Sequence, residues 1–290
     1  MGRFASWLSA RPTNAVLVMV VVFPLTPPVA GAVMLQQTLV HGWQGALLRG
    51  VLAVATLALA ATIVGSGQEM AVMCAIVLGL AALLGVALQM TRSTTLTVQL
   101  VLLVAIVLIG ALHATAADGT KIWTPLANNL RELLSAGQSP ANDEFIALMM
   151  TMLHEIALIG IWLTAVIALY LGHMLYALMP GNDFEEGRFR DLNLGRLMAA
   201  TMIVSCIVLA AFESPIARGI AMCLLVAFIV QGLALLHWFV ARRGAGAGTL
   251  LAAYLALVLP FVNAIALPAL SVVGYVDAWF GIRKQLPATS

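Results

Sequence analysis

Residues 70–91, MAVMCAIVLGLAALLGVALQMT, decide the fold. No Asp, Glu, Lys or Arg interrupts this run. About 20 apolar residues cross the hydrocarbon core of a bilayer as a helix. In that solvent every backbone polar group must be bonded within the element. A membrane strand would alternate polar and apolar residues over about ten positions, and this stretch does not. Its small residues fall four apart, at Ala75 and Gly79 and at Ala81 and Gly85. That spacing favours close helix contact inside lipid.

Working outward, the same absence of charge recurs over 12–48, 50–68, 93–117, 156–182, 197–212, 219–241 and 244–276. The predicted fold is therefore all-α, a polytopic transmembrane helical bundle of eight hydrophobic segments. One integral membrane domain is expected over 1–290. The composition agrees, with 62% hydrophobic and only 9% charged residues in 290. Soluble domains carry about a quarter charged residues, and disordered chains need low hydrophobicity. A net charge of +2 gives no basic surface for nucleic acid, and none is expected as a partner.

Two of the eight segments are interrupted by proline. The first, 15–40, holds Pro24, Pro27 and Pro28, followed by Gln36 and Gln37. The last, 249–276, holds Pro260, Asn263 and Pro268. Each proline removes a backbone donor and crowds the preceding turn, so kinks or breaks are expected here. The other six segments read as uninterrupted spans.

Charge at the segment ends bears on topology. If all eight segments cross once, the 14 Lys and Arg residues split seven to a side. Positive charge normally accumulates on the cytoplasmic face. If each proline-broken segment instead enters and returns on one face, eleven lie inside. Only Lys121, Arg131 and Arg218 then fall outside. Both topologies stay open at this point.

Between spans, 118–144 reads as a polar loop with an amphipathic stretch at Leu126, Leu130, Leu133 and Leu134. The 183–196 segment reads as a charged cytoplasmic loop or surface helix. Residues 145–179 hold no proline and exceed one crossing, so a long helix is expected there. Arg3 and Arg11 before an apolar run imitate a secretory leader, but the run before Pro24 is short and no cleavage is expected.

Polar side chains inside lipid are candidate sites by default. Gln36, Gln37, Gln231 and Asn263 are the candidate substrate-binding residues, amides beside broken backbone that could orient a small polar ligand. They serve equally as helix-to-helix hydrogen bonds, worth about 1 kcal/mol each. Glu155 and His173 fall 18 residues apart, on one helix face about 27 Å from each other. Five histidines invite a metal, yet no pair has ligand spacing on one helix, so no metal is expected. Cys74, Cys206 and Cys223 sit in apolar segments without paired spacing and read as small buried residues. No catalytic motif is recognisable, and neither enzyme activity nor a cofactor is expected.

Three stretches carry a family resemblance. They are Phe189-Arg190-Asp191-Leu192-Asn193-Leu194-Gly195-Arg196, Gln231-Gly232-Leu233-Ala234, and the closing pattern of Gly274, Asp277, Trp279, Phe280, Arg283 and Lys284. Together they resemble the YybS-like bacterial membrane proteins, a family of unknown function. The layout extends over 14–286, with the specific motifs in 185–284. Two positions depart from the family pattern: members often carry proline at Gly195 and an acidic residue at Gly281. The resemblance implies a multi-pass protein of the bacterial cytoplasmic membrane, distantly similar to the substrate-binding subunits of energy-coupling-factor vitamin transporters. It marks Arg190, Asp191, Arg196, Asp277, Trp279, Arg283 and Lys284 as motif residues and supplies no catalytic ones. Physically, Trp279 and Phe280 suit headgroup depth with Arg283 and Lys284 just beyond, and Asp277 can pair with a neighbouring basic side chain; pairing with Arg188, Arg190 or Arg196 would require both loops on one face.

The expected function is to bind or help translocate a small molecule, in the manner of a transporter's substrate-capture subunit. The alternative is a non-transporting envelope scaffold that binds other proteins. Expected partners are the lipid bilayer, an unknown small molecule, and other membrane subunits or a second copy of the chain.

Overall fold

The computed structural model describes residues 2–65, 68–114, 152–180 and 187–285, with isolated positions between 124 and 149. The polar loop at 118–144, with its amphipathic stretch, lies almost wholly outside the described residues, as do 183–186. The chain is 89% helical with no strands among the described residues. Among the described residues seven helices are long and apolar enough to cross a membrane, or eight counting one bent pair. The chain is an integral membrane protein of the multi-pass type.

In chain order the helices are α1 (Gly2–Ala10), α2 (Pro12–Val22), α3 (Pro27–Val64), α4 (Glu69–Thr91), α5 (Thr94–Ala114) and α6 (Leu153–Ala177). After a short 3-10 turn at Phe189–Asp191 come α7 (Gly195–Phe212), α8 (Pro215–Arg242), α9 (Ala247–Val258), α10 (Pro260–Phe280) and α11 (Ile282–Gln285). The chain forms two compact units, 1–98 with 161–189, and 99–160 with 190–290.

In the first unit, α1 and α2 meet at Arg11 with a bend of 111°. α2 has 11 residues, about 16 Å, too short to span. The chain turns at 23–26 and re-enters helix with Pro27 and Pro28 in its first turn, where a missing N–H is harmless. α3 then returns to the level of α1, because Gln36 and Gln37 bond carbonyls of α1. It bends at Gly42, whose φ of 73° and ψ of 170° are a conformation open essentially only to glycine. Beyond the bend, 43–64 is a full crossing. The first proline segment therefore enters and returns at one end of its unit. Small residues let this hairpin pack: Gly172 faces the Ala32 carbonyl, Gly31 faces Ala168, and Gly85 faces Thr38. Thus Ala81 and Gly85 lie in a helix contact, whereas Ala75 and Gly79 are exposed.

In the second unit, α7 and α8 form a hairpin through Glu213 and Ser214, with the Ser214 side chain capping α8 at Ala217 N. A turn containing Gly244 leads into α9, whose 12 residues end where Pro260 begins α10. α10 crosses α8 with the backbones in contact. A Cβ on Gly232 would strike the Leu270 carbonyl, and one on Gly274 the Phe228 carbonyl. Pro260 starts a helix, as expected of a break, but Pro268 sits inside unbroken α10. Of the expected long helix at 145–179, the described part is the 25-residue α6.

Candidate functional site

Two buried polar centres stand out in the second unit, and a set of amides in the first. The first centre is a clasp at the C-terminal end of α10. Leu194, just before α7, has a backbone N–H with no helical acceptor, and Gln231 Oε1 accepts from it at 2.9 Å. Gln231 Nε2 donates to Asp277 Oδ2 at 2.9 Å. Arg283 Nη2 donates to the same oxygen at 3.0 Å and to the Leu192 carbonyl at 2.8 Å. Its Nη1 donates to the Arg190 carbonyl at 2.6 Å. Gln99 Nε2 bonds the carbonyls of Asn193 and Leu194, and Arg196 Nε bonds that of Trp279. One segment, 190–194, is thereby tied to α5, α8, α10 and α11.

Asp277 is fully buried and its Oδ1 has no hydrogen-bond partner. Its ionic partner is the neighbouring Arg283, rather than Arg188, Arg190 or Arg196. The left-handed Gly281, at φ 59°, reverses the chain so that Arg283 folds back onto Asp277. Gly195 also takes positive φ, 76°, which a proline could not adopt. Both departures from the family pattern thus stand where glycine suits the backbone. Arg283 reaches the Arg190 carbonyl, so the two loops meet at this end of the second unit. Asp191, Arg196 and Lys284 are exposed at this end.

Of the four candidate ligand-binding amides, three are engaged by the protein's own helices. Gln36 Nε2 donates to the Ala5 carbonyl at 3.0 Å, and Gln37 Nε2 to that of Leu8 at 3.4 Å. Both are fully buried in the first unit, and only Gln37 Oε1 is left without a partner. Gln231 belongs to the clasp. Asn263 is half-buried on α10 and takes no part in that network.

The second centre was missed by spacing along one chain segment. Glu155, 1% exposed at the start of α6, has His113 Nε2 of α5 at 3.4 Å from its Oε1. Neither carboxylate oxygen has a hydrogen bond. Gly219 of α8 makes room: a Cβ there would sit 3.0 Å from Glu155 Cγ and 2.9 Å from Ile109 Cγ2. His113 Nδ1 lies 2.9 Å from the Ile109 carbonyl. The partner of Glu155 is therefore on another helix, 42 positions away, rather than His173 on its own. No same-helix spacing reveals such a pair; the cue was that His113 and Glu155 both stand at the edges of apolar segments.

Chemically, the clasp fastens backbone, and the amides of the first unit do the same. The Glu155 centre differs, because a buried carboxylate without hydrogen bonds is unstable unless something neutralises it. Among the described residues no three His, Cys, Asp or Glu side chains gather as a metal site would need. No protein-family model, no curated protein and no solved structure matches this chain.

Proposed function

We propose that this is a non-enzymatic membrane protein that binds or helps move a small polar solute, with Glu155, His113 and the adjoining Gly219 as its working centre. The observation that supports this reading is Glu155 itself. A carboxylate buried among apolar helices without hydrogen bonds costs several kcal/mol, and the helix contacts around it would be served better by an apolar residue. Ionisable groups kept at such depth mark solute and ion paths. The resemblance of 185–284 to YybS-like proteins, with its distant similarity to vitamin-capture subunits, points the same way. It also supports a bacterial cytoplasmic membrane as the location.

A scaffold role is the second reading, and one observation favours it. Gln36, Gln37 and Gln231 hold helices together, which is what a bundle built only for packing would ask of them. The two readings separate in a thermal-shift screen of the detergent-purified chain against vitamins, their precursors, nucleobases and divalent cations. A ligand at about a hundred times its dissociation constant adds about 2.7 kcal/mol of stability. Under the solute reading, one compound class raises the transition and Glu155→Gln abolishes the rise without loss of the folded protein. A hit that survives Glu155→Gln moves the site elsewhere, and no response from any class favours the scaffold. Gln231→Leu is unsuited to this test, because it removes the cap on Leu194.

A further inference from the structure

The geometry at Glu155 says more than that the residue is functional. A backbone carbonyl only accepts hydrogen bonds, so His113 Nδ1, 2.9 Å from the Ile109 oxygen, is the nitrogen that carries a hydrogen. That leaves Nε2 as the ring atom facing Glu155 Oε1 at 3.4 Å. Were Nε2 bare and Glu155 ionised, two lone pairs would oppose each other beside a buried charge that lacks any hydrogen bond. Isolated buried charges of this kind neutralise rather than persist. One added proton removes both difficulties, either as an imidazolium facing a carboxylate or as a carboxylic acid facing a neutral imidazole.

We propose that His113 and Glu155 form a single proton-binding site within the apolar bundle, holding one shared proton at neutral pH between Nε2 and Oε1. This rests on reading the Glu155 centre as functional, and it names the proton as an ion that the centre takes. Space supports it: Gly219 lets α8 close over the pair with no side chain between. His113 is about one-fifth exposed while Glu155 is sealed, so the imidazole is the proton's route in and out. The charged residues that α7 and α8 bring to this end are Glu213 and Arg218, and His154 precedes Glu155 on α6. Glu213 is exposed, so solvent and salt screen it. Arg218 directly precedes Gly219 on α8.

The test uses the full chain in lipid vesicles, labelled with nitrogen-15 histidine, with His113→Asn identifying the His113 signal. At neutral pH the expected spectrum shows His113 Nε2 bearing a proton. Failing that, infrared difference spectra show a protonated-carboxyl band that disappears in Glu155→Gln. A wild-type spectrum with bare Nε2 and no protonated-carboxyl band at neutral pH overturns the proposal. The solute reading would outlive that result if Glu155→Gln still abolished a thermal-shift hit. A shared proton with no hit in any screen would instead remove the solute and keep the proton.

Discussion

Removing Arg283 would strand Asp277, a carboxylate with no water-exposed surface, with only Gln231 left to bond it. Taking one partner from a buried ion pair typically costs about 3–5 kcal/mol, mostly through the charge left behind. Arg283→Met should therefore lower the unfolding free energy by about that amount in detergent. Asp277→Asn added to it should recover much of the loss, because the amide oxygen still accepts from Gln231 and carries no charge. Additive losses in that double-mutant cycle would show that the pair is not coupled. Both residues, and a pairing of Asp277 with a neighbouring basic side chain, were legible in the closing motif, but which basic side chain was not. It depends on the backbone direction after Gly281, and a φ of 59° six positions from nowhere recognisable leaves no mark in composition. The Glu155 contact with His113 was illegible for a related reason: it joins two helices, and spacing reports only neighbours on one.

Two glycines separate backbone strain from packing at the level of the helix. Gly42 bends α3 in open space, with nothing within 4 Å of where a Cβ would lie. Gly232 has ordinary helical backbone, yet a Cβ there would meet the Leu270 carbonyl. Gly42→Ala should cost about 1–3 kcal/mol through backbone strain alone. Gly232→Ala should cost about 1–3 kcal/mol or more through overpacking. The two differ in what rescues them. Shortening Leu270 does nothing for Gly232→Ala, since the obstruction is backbone, whereas D-alanine at 42 restores the bend. Chemical ligation with D-alanine and thermal unfolding would check this, and an unrelieved loss at 42 would locate the strain elsewhere. The prolines were readable as punctuation, but not in kind. Pro27, Pro28 and Pro260 begin helices, where a missing N–H is harmless, and Pro268 is carried inside one. The sharpest bend within a long helix is at Gly42 instead, and one glycine among 24 gives no sign of its φ.

Each unit fixes the placement of one terminus within itself. In the first, Gly2 lies against the Leu178 carbonyl, so the N-terminal helix sits at the end where α6 leaves. In the second, Arg283 holds the carbonyls of Arg190 and Leu192, so the last helix sits at the end where α7 starts. Leu178 and Arg190 bound the same short connection between two spanning helices. If both units turn these ends to one membrane face, six full crossings lie between the termini and eleven of the 14 basic residues share that face, as the accumulation of positive charge on the cytoplasmic side would ask. With Cys74, Cys206 and Cys223 replaced by alanine, single cysteines at Arg3, Arg188 and Lys284 should react with an impermeant thiol reagent only after the cytoplasmic face is opened. A cysteine at Glu213, exposed at the opposite end of α7, should react in intact cells. Labelling of position 3 or 284 alongside 213 would restore the eight-crossing arrangement. His113 and Glu155 lie at the same end of the second unit as Gly219, six residues beyond Glu213, so a cysteine at 213 that reacts in intact cells puts the proton pair on the outer face. On the six-crossing arrangement that end faces away from the cytoplasm, so the shared proton would be exchanged with the outside.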